Sequence, residues 1–184
     1  MRGAPIFLSA LLIAGVLAGC GGNRYGFERT YSAYGDEGQY LDHAVDLSYE
    51  DVRRFPDRHA ESLIGWFGTV THIEQLDRGT GEARLTLEYR THQDRHLCSD
   101  EREGSCRVTV SQRAIGPFQA LVTVRPEDLQ DGQDRLWTGS LLKVYGHVTD
   151  AGTEESGPII QVDYYRHFPH GTFVTTAAAG SMRR

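Results

Sequence analysis

Residues 83–90 of this 184-residue chain alternate between apolar and polar side chains, and this period of two constrains the fold more than any other feature. Leu85, Leu87 and Tyr89 would share one face of an extended strand, with the polar residues between them on the other face. Comparable runs occur at residues 63–73, 107–111, 118–124, 141–148 and 159–166. No amphipathic helical pattern lies between these runs, which excludes a parallel α/β sheet because helices connect its strands. The chain is therefore predicted to be mainly β.

Five or six short strands with glycines inside them favour a small, strongly coiled barrel. Gly65 and Gly68 lie within the first run, where glycine permits a bulge or a sharp bend. An immunoglobulin-like sandwich is the alternative, although its strands are normally more evenly spaced. We predict an OB-like barrel of five or six strands, in which Trp66 and Val144 are buried in the core.

The N-terminal residues differ in composition from the rest of the chain. Arg2 is the only charged residue before Arg24, and residues 6–18 are nearly all apolar. As a helix these thirteen residues would span about 20 Å, less than the ~30 Å hydrocarbon core of a bilayer. Residues 1–19 are therefore predicted to be a secretory signal peptide and not a transmembrane helix.

The sequence Leu17-Ala18-Gly19-Cys20 resembles the lipobox of bacterial lipoproteins. This resemblance implies cleavage before Cys20 and acylation of Cys20, so that several acyl chains anchor the protein stably. Residue 21 is glycine and not aspartate, which implies the outer membrane under the sorting rule of enterobacteria. The expectation is a lipid-anchored outer-membrane protein that faces the periplasm. The alternative is an ordinary signal peptide followed by an incidental cysteine.

The chain after the signal peptide is predicted to contain a lipidated cysteine and flexible tether at 20–46, a barrel domain at 47–176 and a C-terminal tail at 177–184. Residues 21–45 show no helical or strand period. A short helix is expected to begin the domain, with Ser48 as its N-cap. The tether contains several aromatic residues, which either lie on the barrel or membrane surface or form a partner-binding segment that orders on contact. They are Tyr25, Phe27, Tyr31, Tyr34 and Tyr40.

Two stretches of the predicted barrel resemble the Slp-type outer-membrane lipoproteins. Residues 66–70, Trp-Phe-Gly-Thr-Val, are similar to the W-G-V strand of that family, and residues 144–148, Val-Tyr-Gly-His-Val, to its late V-x-G-x-V strand. Phe67, between the tryptophan and the glycine, departs from the family pattern, as does the middle insertion with two cysteines. The resemblance implies a barrel fold and an outer-membrane location, and it implies no chemistry.

Cys98 and Cys106 are the two cysteines that remain once Cys20 is acylated. An even pair in an oxidising compartment predicts a disulfide, here at the tip of a hairpin between the second and third strands. The alternative is a zinc site in which His92 and His96 join the two cysteines. Positions i and i+4 of an extended strand lie about 13 Å apart, too far for one ion unless the chain folds back. We therefore predict a disulfide and no metal site, with free thiols as the remaining alternative.

The sequence contains no motif that predicts catalysis. Eight histidines are present, but without a serine elbow, a Cys–His pair or spaced carboxylates, so no catalytic residue and no cofactor are predicted. The net charge of −6 argues against nucleic acid as a partner. The expected function is a non-catalytic, membrane-tethered module that binds or assembles with an envelope protein. The alternative is a metal-dependent envelope enzyme that uses the His92/His96 region.

Overall fold

The computed structural model describes residues 27–75, 77, 79–99 and 102–180. The predicted signal peptide, Cys20 and residues 181–184 lie outside these ranges. Three α-helices in the described part are α1 (Glu37–Leu41), α2 (Tyr49–Arg54) and α3 (Pro56–His59). Its strands are β1 (Phe27–Thr30), β2 (Leu63–Gln75), β3 (Glu82–Arg90), β4 (Arg95–Cys98), β5 (Cys106–Val110), β6 (Pro117–Thr123), β7 (Leu141–Asp150), β8 (Ile159–Phe168) and β9 (Phe173–Thr175).

Five of the strands form a closed barrel in the order β2-β3-β6-β8-β7. The β6–β8 pair is parallel, and the other pairs are antiparallel. Trp66 and Val144 are only 2% and 1% exposed and lie in the barrel core, as predicted. The indole nitrogen of Trp66 donates a hydrogen bond to the carbonyl of Leu47 at 2.9 Å. The prediction of a mainly β, OB-like barrel is confirmed.

The close packing of the barrel strands depends on glycine at two positions. A Cβ atom at Gly68 would lie 2.6 Å from the ring of Phe118, and one at Gly146 would collide with the carbonyl oxygen of Gln161 on β8. The register of β2 against β3 shifts between Val70 and His72. This irregularity lies just after Gly65 and Gly68, where a bulge or a sharp bend was predicted.

The predicted leading helix is present as two short helices. The Ser48 hydroxyl accepts a hydrogen bond from the Asp51 amide at 3.1 Å and caps α2, whose Val52 is fully buried against the barrel core. Pro56 begins α3. Within the described ranges, no helix is long and apolar enough to cross a bilayer.

A second sheet, in the order β1-β4-β5-β9, lies outside the barrel. In chain order, the central hairpin formed by β4 and β5 follows the barrel strand β3 and precedes the barrel strand β6. The run at residues 107–111, counted from the sequence among the possible barrel strands, forms most of β5 in this sheet. β9 pairs with β5 in parallel, and β1 pairs with β4 in antiparallel.

The prediction of a flexible tether at 20–46 is wrong for residues 27–46. β1 belongs to the second sheet, and α1 packs against β8. Tyr40 stacks on Tyr164 of β8 with a centroid distance of 4.8 Å, whereas Tyr34 is 77% exposed. These elements are too short to produce a recognisable period, and distant parts of the chain provide their stabilising contacts.

The predicted C-terminal tail also begins too early. Residues 173–175 form β9, and a 3₁₀ helix follows at Thr176–Gly180. This helix continues directly from β9, so residues 177–180 are helical and are not part of an irregular tail.

Candidate functional site

The second sheet packs on the outer face of β2, β7 and β8. Along β7, Leu142 and Val144 belong to the barrel core, whereas Leu141 belongs to a separate apolar cluster with Val108 and Val110 of the second sheet. Beside this apolar cluster lies a group of polar side chains, which we call the buried polar cluster. It consists of Tyr31, Glu37, His92, His96, Lys143, Tyr145 and Arg166.

Glu37 is the centre of the buried polar cluster and is completely buried. Its carboxylate accepts hydrogen bonds from the Tyr31 hydroxyl, from the Tyr145 hydroxyl at 2.9 Å and from Nη1 of Arg166 at 2.7 Å. Burial alone would raise the pKa of Glu37, but these hydrogen bonds and the charge of Arg166 lower that pKa below its ordinary value. Glu37 is therefore a charged group held inside the protein by its donors.

Lys143 brings a second positive charge into the buried polar cluster, in addition to that of Arg166. Its ammonium lies 3.7 Å from Oε1 of Glu37 and within about 5 Å of the ring centroids of Tyr31, Phe67 and Tyr145. Burial lowers the pKa of Lys143 to about 8, although the Glu37 carboxylate opposes the shift. The surrounding rings supply cation–π attraction in place of part of the lost hydration.

His92 and His96 lie in contact, with their Nε2 atoms 3.1 Å apart. The expectation that they lie too far apart was wrong, because β4 begins only at Arg95 and the residues before it do not continue β3. Burial, followed by the charges of neighbouring basic groups, lowers the pKa of both imidazoles to about 4. At neutral pH the two rings are uncharged, and one donates its N–H to the other.

The disulfide between Cys98 and Cys106 is present, as predicted. The two residues are register partners at the adjoining ends of β4 and β5. Both sulfurs are therefore unavailable as metal ligands, and the four-ligand zinc site considered from the sequence does not form. The described part of the chain contains no group of three or more His, Cys, Asp or Glu residues that could hold a metal ion.

Two clefts, each of about 340 Å³, lie beside the buried polar cluster. The first, which we call the arginine cleft, is lined by Arg29, Arg107 and Arg166 together with Tyr31 and His96. The second, which we call the lysine cleft, has lining residues on both β2 and β7. They include Asp46, Phe67, His92, Asp94, Lys143 and Tyr145.

A second polar group closes one end of the barrel and has the connectivity of a Ser–His–Asp triad. Nδ1 of His167 lies 2.9 Å from Asp128, and its Nε2 lies 3.0 Å from the Ser140 hydroxyl oxygen. Tyr165 donates to Asp128, and Arg125 forms an ion pair with the same carboxylate at 3.0 Å. Burial would raise the pKa of Asp128, but these hydrogen bonds and the charge of Arg125 lower it.

This triad-like group is inaccessible to a substrate. Ser140 is completely buried, and the side chain of His167 is 3% exposed. The Ser140 oxygen already accepts the amide proton of Trp137 at 3.2 Å. A nearby cavity of about 300 Å³, lined by Leu129 and Trp137 among others, does not reach Ser140, His167 or Asp128. The group stabilises the end of the barrel, and its geometry offers no route for acyl transfer.

Sequence reasoning missed both polar groups. Ser140, His167 and Asp128 come from separate parts of the chain and form no local motif. The sequence signal that could have indicated this group is the two-residue spacing of Tyr165 and His167, which places both on one face of a strand. Glu37 lies in an acidic, glycine-containing stretch that resembles ordinary loop sequence.

No family model, no curated protein and no solved structure matches the chain.

Proposed function

We propose that this protein is a non-catalytic lipoprotein of the bacterial outer membrane, facing the periplasm. Its OB-like barrel is anchored through acylated Cys20 and acts as a module for binding or assembly with an envelope protein. The observation that carries the proposal is the position of residues 27–46. They pack on the barrel and contribute lining residues to both clefts.

This packing limits the distance between the domain and the membrane. Only seven residue steps separate Cys20 from Phe27, where β1 begins. At a maximum of about 3.6 Å per residue, they reach no farther than about 25 Å. A domain held this near to the membrane can meet its partner only close to the bilayer surface, which favours an envelope component.

The alternative, a metal-dependent enzyme that uses His92 and His96, receives less support. The two imidazoles are in contact, but they hydrogen bond to each other and face the cationic side chains of Lys143 and Arg166. A metal ion between them would experience repulsion from both charges. Together with the burial of Ser140, this arrangement favours recognition over catalysis.

Two measurements in intact cells test the proposal. Cys20→Ala should take up no labelled palmitate and should leave the outer-membrane fraction. A photo-crosslinking residue at Asp46, in the lysine cleft, should capture a discrete envelope protein. The matched control is Asp131, whose side chain is 93% exposed on the loop after the Pro126–Leu129 turn.

The outcomes separate the two parts of the proposal. If Cys20→Ala remains labelled and in the outer membrane, the lipid anchor is refuted. If Asp46 gives the same adducts as Asp131, or none, the lysine cleft is not a protein-binding surface.

A further inference from the structure

The arginine cleft has a charge character that differs from the rest of this acidic protein. Three arginine residues, Arg29, Arg107 and Arg166, line a space of about 340 Å³. Among the described residues that line it, none is an aspartate or a glutamate. Guanidinium groups present planar pairs of donors that match the oxygen atoms of carboxylates and phosphates.

Two of these guanidinium groups are held in place by the protein. Nη1 of Arg166 donates to Glu37 and to the Tyr31 hydroxyl, and the guanidinium packs over the ring of Phe168 at 4.7 Å. Nη1 of Arg107 donates to the carbonyl oxygens of Gly104 and Cys106, at 3.0 and 3.1 Å. A bound anion would therefore meet donors that have already lost most of their side-chain freedom.

The charges within the cleft are only partly balanced. The completely buried Glu37 compensates Arg166 from beneath the cleft. Arg107 forms its hydrogen bonds with backbone carbonyls and has no carboxylate partner in the described structure. His96, which also lines the cleft, is neutral at neutral pH and adds no charge of its own. An anion would supply the missing negative charge.

The location of the cleft indicates the source of that anion. Arg29 and Thr30 of β1 line it, only a few residues after Phe27, which lies within about 25 Å of an acylated Cys20. Phosphate is the anionic group that a bilayer presents at its surface, and arginine side chains near an anionic surface are attracted to it.

From these observations we infer that the arginine cleft is a phosphate-binding site, which takes the phosphate group of a membrane lipid headgroup. The inference rests on the proposed function only for the source of the phosphate, because the membrane lies nearby only if Cys20 is acylated. Recognition of the phosphate itself depends on Arg107 and Arg166 and is independent of the anchor.

The test uses residues 21–184, exported without lipid, so that the anchor does not contribute to membrane binding. These residues include every described element. Flotation with phosphatidylcholine vesicles containing about 20% phosphatidic acid is compared with flotation with pure phosphatidylcholine vesicles. A separate arm titrates inorganic phosphate alone and follows the NMR signals of the His96 ring.

The decisive variant is Arg107→Gln, since Arg166 also supports Glu37 and its loss would disturb the fold. We expect Arg107→Gln to weaken binding to the anionic vesicles about fivefold, the equivalent of about 1 kcal/mol for one arginine at a charged surface. Arg135→Gln, an equal loss of charge at an exposed side chain that does not line the cleft, should bind as the parent does. Thermal melting of both variants confirms that the fold is retained.

Each outcome bears on the inference. Anionic-vesicle binding that requires Arg107 but not Arg135 supports a lipid phosphate. Binding of inorganic phosphate alone, with the same dependence on Arg107 and a shift of the His96 signals, supports the phosphate site and assigns it a soluble ligand. Equal losses for Arg107→Gln and Arg135→Gln, or no binding in either arm, overturn the inference and leave the test of the Cys20 anchor unaffected.

Discussion

Arg166 donates from Nη1 to Oε2 of Glu37 at 2.7 Å, across 129 residues of sequence. The bond joins α1, which precedes the barrel, to β8, the last barrel strand. Because Glu37 is completely buried, the N-terminal segment cannot leave the barrel without exposing this pair to water. The Glu37 carboxylate therefore helps to fix the position of the segment that lines both clefts.

Replacing Glu37 by alanine should destabilise the protein strongly. The change leaves Lys143 and Arg166 with uncompensated charge, and breaking one side of a buried ion pair costs about 3–5 kcal/mol. The measurement is the free energy of unfolding from urea titration. Asp131→Ala is the control, since its pair with Arg135 is exposed and worth less than about 1 kcal/mol. Similar losses for the two variants would contradict the central role of Glu37.

Placing a charge in the barrel core should prevent folding. Val144 is 1% exposed, so Val144→Asp introduces a carboxylate with no partner into the core. We expect the cooperative thermal transition to disappear. Thr149→Asp, at an exposed position on the same strand, should melt close to the parent protein. A Val144→Asp variant that melts like the parent would contradict the barrel packing.

The barrel could be predicted from the sequence because its signal is local. The alternation at residues 83–90 indicates which side chains face the core, and it does not depend on contacts with distant parts of the chain. The position of Glu37 could not be predicted, because its burial depends on Arg166 and Tyr145, more than a hundred residues away. The contact between His92 and His96 was missed for a related reason: a distance estimated along a strand fails where the chain turns before β4.

Stability should fall as the pH falls from about 6.5 to about 4. In the unfolded chain His92 and His96 bind protons near pH 6.5, whereas burial lowers their pKa in the fold to about 4. Between these values the unfolded state binds more protons, so acidification favours unfolding, by up to about 3 kcal/mol for each imidazole. Below pH 4, protonation of Glu37 and Asp128, whose pKa values are lowered in the fold, should add a further loss.

Urea midpoints at pH 7.5, 5.5 and 4.2 measure this dependence. His92→Gln should flatten the pH dependence, because it removes one of the two buried imidazoles. His72→Gln, which changes an exposed histidine on β2, should leave the dependence as it is. An unchanged slope in His92→Gln would show that other groups carry the effect.

Cys98 and Cys106 should resist alkylation until reductant is added. Intact mass of residues 21–184, exported to the periplasm, should show no added label before reduction and two labels afterwards. In the chain-entropy model a closed loop of roughly nine residues contributes about 2.5 kcal/mol, so a Cys98→Ser/Cys106→Ser variant should unfold at lower urea concentration. Two labels before reduction would show that the bridge does not form in the cell.

The second sheet draws its strands from three distant parts of the chain, with β1 and β9 on either side of the β4–β5 hairpin. For such pairings, the chain loses the entropy of closing long loops before the strand contacts can compensate for that loss. The barrel strands β2 and β3 are neighbours in sequence and have no such delay. β9 is the last of these strands in the chain, so the sheet is complete only once β9 has paired with β5. Until then the edge of β5 is bare, and a nascent molecule passes through a stage in which a neighbouring chain could pair with that strand.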